Sequence, residues 1–324
     1  MAWLRTPSIG LALGGGAARG LAHLGVLEVL EEAGLRPACV AGTSIGALIG
    51  GIWATTGTAE AAIDKTQAFV TSPDYRKAEL EYLSKAKLGQ PSGWAAMIAR
   101  AMRQGVFYSR TFLNQSFVSQ ESYRHNIEHL LPDVAIEDLR VPFAAVAADL
   151  LSGESIVFRR GSLRQAVSAS GAVPGVMPPQ VWDGRLLSDG ALVDKIPARA
   201  LLSMPVDVIV GVDVSTELAS APNMKRGLEI ITRANQVTEW NLRHARKVLC
   251  DVMVRPRVQH VNWLNFITAR PAIGLGRDAM ESALPELRRR IREARVRALI
   301  GRSRIQLARR MYRRGWFGQP PIEV

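Results

Sequence analysis

The order of apolar and polar positions sets out a layered α/β chain. Ser8 to Leu13 is a short apolar run closed by glycines, the pattern of a strand buried on both faces. Leu21, Leu24, Val26, Leu27, Leu30 and Leu35 then recur at helical spacing, with Glu28, Glu31 and Glu32 turned outward and Gly34 at the expected C-cap. Ala38 to Ala41 predicts a second buried strand, and Ile45 to Thr55 an apolar helix. This alternation predicts three α/β/α layers around a mostly parallel sheet, with ligands at the carboxyl ends of the strands. Residues 59–131 are more polar and helical, broken at Ser72-Pro73, at 89–93 and at Gly105, as a helical insertion or cap would be. Strands resume at Val141–Ala148, Ser155–Phe158 and Val206–Val214, and Trp182-Asp183-Gly184-Arg185 carries the Asp-Gly signal of a tight hairpin. A long helix is expected over Met224–Leu249, and nothing in residues 1–280 divides the body.

Charge is unevenly spread. The 324 residues carry a net +12, yet 285–324 alone hold 12 basic and 3 acidic residues, so the body is almost balanced. The tail has one apolar stripe, Leu284, Leu287, Ile291, Ala294, Ala298, Gly301, Ile305, Ala308 and Tyr312, with Arg288, Arg289, Arg292, Arg295, Arg302, Arg309 and Arg313 off it and Trp316-Phe317 after it. The expected division is a catalytic domain over 1–283 and a C-terminal basic amphipathic helix over 284–324. Such a helix suits adsorption to an anionic membrane surface through 284–317; docking on the body and coiled-coil dimerisation are the alternatives. No nucleic-acid motif accompanies the charge, so no nucleic-acid partner is expected. Two cysteines, Cys39 and Cys250, exclude a disulfide framework and fit a reducing compartment, giving a cytoplasmic expectation with a peripheral hold on the inner membrane surface. The uncharged start is broken by Pro7 and three glycines, against a signal peptide. The 22 uncharged residues between Pro37 and Glu60 are punctuated by glycine and hydroxyl residues, as a strand and helix are and a membrane span is not.

The candidate chemistry begins at Gly42-Thr43-Ser44-Ile45-Gly46, a G-x-S-x-G elbow between strand and helix. The turn is too sharp for side chains beside the serine, and it delivers Ser44 to a helix N-terminus. Gly14-Gly15-Gly16-Ala17-Ala18-Arg19-Gly20 follows the first strand. A dinucleotide loop would need glycine where Arg19 stands; an oxyanion hole of glycine amides, with Arg19 adding positive charge or holding a lipid phosphate, fits the residues. For a base, the histidines at 23, 125, 129, 244 and 260 offer little: the hydrolase order leaves His244 or His260, neither at a strand end, and His23 reads as helix packing. Asp149, Asp213 and Asp189 all close strands, and spacing does not choose among them. His125-Asn126-Ile127-Glu128-His129 matches an inverted zinc-peptidase motif, with Glu154 or Glu217 as the available third ligand.

Taken together, GGGAARG with LAHLGVL after it, the GTSIG elbow, SASGAVPGVMPP and LLSDGALVDKIP resemble the patatin-like phospholipases of bacterial type, in the family's order, over about residues 8–280. The resemblance implies a Ser-Asp dyad with Ser44 as nucleophile and Asp189 as base. It also implies Gly14, Gly15 and Gly16 as oxyanion donors supported by Arg19, the elbow glycines Gly42 and Gly46, and hydrolysis of phospholipid or other lipid esters without metal or cofactor. Ala191 stands where the family often has a second glycine, and 59–131 shows little of the family pattern. A catalytically silent lipid-binding or scaffolding protein and, further off, a zinc peptidase on His125, Glu128 and His129 are the competing classes.

Overall fold

A computed structural model describes residues 6–73, 75, 116, 118–218, 227–246, 249–262, 266–267, 270–299, 308, 311 and 321–324. Its strands are β1 (Ile9–Leu13), β2 (Cys39–Thr43), β3 (Phe143–Asp149), β4 (Ser155–Phe158), β5 (Gln180–Trp182), β6 (Arg185–Asp189), β7 (Val208–Val212), β8 (Val252–Val254) and β9 (Ile322–Glu323). The helices are α1 (Ala22–Glu32), α2 (Ile45–Thr56), α3 (Ala59–Thr71), α4 (Gln120–Leu130), α5 (Leu163–Ser170), α6 (Ala198–Leu201), α7 (Gly227–Arg246) and α8 (Ala272–Leu299).

Strands β3, β2, β1, β7 and β8 run parallel in that order, and β4, β5 and β6 join as antiparallel partners. Side chains alternate along each strand, so the two sheet faces differ. Leu11, Leu13, Val40, Ala145, Ala147, Val208, Val210 and Val212 lie in the core beneath α1, α2, α5 and α8. Ala12, Cys39, Ala41, Ala144 and Val146 present a flatter face to α6 and the segment ending at Val206. Both faces are covered, which explains why the parallel strands read as continuous apolar runs.

The hairpin expected at Trp182–Arg185 forms, with Asp183 at φ 45° and Gly184 at φ 72°, as a tight turn between twisted strands requires. The expected α/β/α layering is present, and α3 and α4 form the two ends of 59–131, burying Ala62, Tyr123, Ile127 and Leu130 against the body. The middle of that segment lies outside the described residues. Among the described residues, no helix is long and apolar enough to cross a membrane.

The tail is where the fold departs from expectation. Helix α8 runs unbroken across 283 and 284, so the boundary placed there falls inside one helix. Among the described residues its stripe is turned inward, as the docking alternative expects: Met280, Leu287 and Ile291 are buried in the core, with Leu284 and Ala294 against it. Helix α8 crosses α1 at two glycines, where a Cβ on Gly25 would stand 2.0 Å from the Ile273 carbonyl oxygen and one on Gly276 1.9 Å from that of Ala22. Arg277 fastens the crossing to Glu28 at 2.7 Å and Glu32 at 2.8 Å. Trp316 and Phe317 lie outside the described residues.

Candidate active site

The register of β3 assembles the site. On one edge of β3, Val146 pairs with Thr43, the last residue of β2, and the next residue, Ala147, pairs with Asp189, the last residue of β6. Those same two β3 residues pair with β4 on the opposite edge. Strands β2 and β6 therefore meet head to head on one edge, and Ser44, one residue past Thr43, is delivered beside Asp189.

Ser44 takes φ 56° and ψ −125°, a strained conformation for a residue with a Cβ, and caps α2. Its flanking glycines are forced by contact: a Cβ on Gly46 would lie 2.1 Å from the Leu13 carbonyl oxygen, and one on Gly42 2.4 Å from the backbone of Ala47. The Ser44 amide donates to Ser170 Oγ at 2.9 Å, and Ser170 donates onward to the Val146 carbonyl at 2.6 Å. The elbow is thus tied to the same β3 residue that positions β2. Ser170 had no role in the sequence reading; it sits in the SASGAVPG motif, whose second serine was the available signal.

Of the three candidate carboxylates, Asp189 is the one that the register sets beside Ser44, whose hydroxyl favours its ionised form. The Asp189 Oδ1 accepts from the Ala191 amide at 2.8 Å. Burial pushes its pKa up to about 6, against the Ser44 hydroxyl, the Ala191 amide and the charge of Lys195, which favour the ionised form. Asp149 is committed elsewhere, to the Leu151 amide, Ser152 and Arg185; burial raises its pKa, but these bonds outweigh it and the net shift is downward. Asp213 accepts from the Ser215 amide at 3.1 Å and lies 4.0 Å from Arg255.

The glycine loop is arranged differently from the expectation. The Gly14 amide donates to the Val212 carbonyl at 3.0 Å and the Gly15 amide to that of Lys195 at 3.1 Å. Two of the three expected oxyanion donors are therefore spent on the scaffold. Gly16 N–H has no acceptor among the described residues. Gly15 still shapes the site, since a Cβ there would touch the Ser44 Cβ at 3.3 Å and that of Ala191 at 3.6 Å. His23, expected to serve only packing, is fully buried with Nε2 at 2.8 Å from the Gly14 carbonyl. Burial lowers its pKa to about 4, so the ring is neutral and Nε2–H donates to that oxygen. The Gly14–Gly15 peptide is consequently clamped at both ends, its carbonyl by His23 and its N–H by Lys195. Arg19 donates from Nε to the Val261 carbonyl at 3.1 Å, which ties the loop to segment 255–262.

The zinc alternative does not assemble. His125 and His129 are exposed on α4 with ring centroids 4.3 Å apart, and Glu128 lies 3.8 Å from Arg124. Glu154 is paired with Arg185 and Glu217 accepts from Trp240. No group of three metal-ligating side chains occurs among the described residues.

A nucleophile elbow at a parallel strand end, a buried aspartate beside it and a glycine loop next to both are the parts that a serine hydrolase type of site is built from. The sequence profile of the patatin-like phospholipases matches residues 11–202, more than half of the chain, and the chain belongs to that family. It is 35% identical over 210 residues to the uncharacterized NTE family protein Rv1063c of Mycobacterium tuberculosis, covering 65% of this chain and 50% of that one. It is 30% identical over 217 residues to the neuropathy target esterase sws of Drosophila melanogaster, covering 66% of this chain and 13% of that one. The chain thus spans half, or far less, of the length of these relatives. Among solved structures, VipD from Legionella pneumophila aligns with TM-score 0.41 at 16% identity over 87% of this chain and 67% of that one.

Proposed function

We propose that the protein is a serine lipid acyl hydrolase of phospholipase or lysophospholipase type, working through a Ser44-Asp189 dyad. The observation that carries this reading is the register that sets Ser44 beside the buried carboxylate of Asp189, whose pKa burial raises to about 6. At neutral pH Asp189 is ionised, yet basic enough to take the hydroxyl proton as Ser44 Oγ attacks the acyl carbon. Negative charge then develops on the acyl oxygen, where the Gly16 amide and the first turn of α2 are the available donors. Collapse breaks the ester bond, and the leaving alcohol takes its proton from Asp189. Water, activated by the same carboxylate, releases the fatty acid and regenerates Ser44.

The family of lipid hydrolases to which the chain belongs supports a lipid ester as substrate. We read residues 59–131 as a cap over the acyl cleft, and the enzyme as cytoplasmic and peripheral at the inner membrane surface. The exposed Arg288, Arg292 and Arg295 of α8 give an anionic surface a cationic face, although the apolar stripe beside them is spent on the core. A fluorophosphonate probe should label the wild-type chain on the peptide carrying Ser44, and Ser44→Ala should lose both labelling and ester hydrolysis while remaining folded. Full hydrolysis by Ser44→Ala overturns the reading.

A further inference from the structure

Eight large apolar side chains are exposed among the described residues, and four of them, Leu150, Leu151, Val181 and Leu192, belong to one end of the sheet. That end is the one bearing Ser44 and Asp189. The register orders them. Beyond the pairing of Asp149 with Leu187, the Leu150 amide donates to the Leu186 carbonyl at 2.8 Å, and Leu186 pairs with Val181 on β5. Leu150, Leu186 and Val181 thus form one row across three strands, on one face by alternation. The neighbouring row turns Asp149 and Leu187 into the protein.

An antiparallel sheet that meets water carries polar residues on its outer face. Here the outer row is apolar throughout, with Val181 78% and Leu150 48% exposed. Leu151 extends it at the tip of the β3–β4 hairpin, 69% exposed, and Leu192, 50% exposed, stands three residues past Asp189. The basic side chain at these hairpins, Arg185, is paired within the protein, 3.0 Å from Asp149 and 3.2 Å from Glu154, and the exposed charge at the β5–β6 turn, Asp183, is itself acidic. The row therefore invites apolar contact and not attraction to an anion.

We propose that the Leu150–Leu186–Val181 row, with Leu151 and Leu192, is the face on which the protein rests against a lipid aggregate, seating Ser44 at the interface. The proposal rests on the hydrolase reading, because that reading says what lies in front of this end. The row lies just beyond the strand ends that bear Ser44 and Asp189, so a lipid surface laid against this end covers the row and brings substrate to the strand ends together. Scattered exposed apolar residues need no explanation, but a cross-strand row continuous with a reactive site does.

The test compares the full chain with Leu151→Ser/Val181→Ser, both changes at exposed positions outside the catalytic machinery. Binding to neutral phosphatidylcholine vesicles is read by co-sedimentation at low and high salt. Turnover of a water-soluble, short-chain p-nitrophenyl ester is read below its aggregation concentration. The wild type should bind neutral vesicles independently of salt. The double variant should bind about a hundredfold more weakly, roughly tenfold for each side chain, with soluble-ester turnover unchanged. Leu151→Trp should bind more tightly, since tryptophan favours the interface. Undiminished vesicle binding by the double variant, binding that requires anionic lipid and disappears with salt, or a wild-type dimer that the double change makes monomeric would overturn the proposal. A wild type that binds vesicles through these residues yet neither turns over soluble ester nor takes the fluorophosphonate label removes the hydrolase reading alone, and leaves the docking face standing.

Discussion

Asp189→Asn should inactivate the enzyme and stabilise it at the same time. Burial moves the Asp189 carboxyl from an ordinary 3.8 to about 6. At 1.36 kcal/mol per pH unit, holding the ionised form costs the folded protein about 3 kcal/mol at pH 7. The sign follows from proton binding. Below the unfolded value both states carry the proton and the cost is absent; from there to about 6 the folded chain keeps a proton that the unfolded chain has released, so stability falls as pH rises. Above that window the loss is complete. Asparagine removes the charge and keeps an oxygen for the Ala191 amide, now at 2.8 Å. Its new N–H₂ in the buried site takes back about 1 kcal/mol, leaving a gain of about 2. Urea unfolding should therefore show the variant about 2 kcal/mol more stable than wild type at pH 7 and no more stable at pH 4, with a melting temperature raised by about 4 °C at neutral pH. Hydrolysis of a soluble ester should drop by a factor on the order of 10³ or more. A variant less stable than wild type at pH 7, or one retaining a tenth of the activity, refutes the assignment of Asp189 as a charged, desolvated base.

The same carboxyl predicts that wild-type kcat/KM for a soluble ester rises with pH and levels off above about 6, measured across pH 4.5 to 8; a flat profile contradicts Asp189 as the base. His23→Leu removes the donor to the Gly14 carbonyl and should lower kcat roughly tenfold to a hundredfold with KM little changed, with His23→Gln recovering part of it. Equal kcat in the leucine variant would separate the clamp from catalysis. Gly276→Ala places a methyl 1.9 Å from the Ala22 carbonyl oxygen and should cost about 3 kcal/mol in urea unfolding, while the folded fraction keeps its soluble-ester turnover.

What the sequence disclosed was local. The glycines around Ser44 and the Asp-Gly turn at 183–184 announce themselves because a close approach or a positive φ admits few residue types. Spacing hid the choice of Asp189 over Asp149 and Asp213, since all three end strands; only the family resemblance of its Asp-Gly-Ala motif pointed to it, and the pairing of β6 with β3 is what sets it beside Ser44. The directions of the Gly14 and Gly15 amides were equally hidden. They depend on the carbonyls of Val212 and Lys195, roughly 200 residues away along the chain. The tail shows the same limit in another form: an amphipathic stripe states that one side will be buried and leaves open against what. Helix α8 buries Met280, Leu287 and Ile291 in the protein's own core, the docking alternative, and not on the lipid surface that the stripe equally suited.

The head-to-head meeting of β2 and β6 on β3 bears on when the protein becomes reactive. Ser44 leaves the ribosome well before Asp189, which lies 145 positions later, and no shorter piece of chain contains both. Until β3 has been made and β6 has zipped back along it, the serine lacks its acceptor and remains an ordinary alcohol. The proposed dyad thus waits on the non-local pairing of β2 and β6 with β3, the kind that closes slowly and only as part of a finished sheet. On the proposed dyad, a product cut short before Asp189 has the serine without its base, so the topology itself acts as a safety catch.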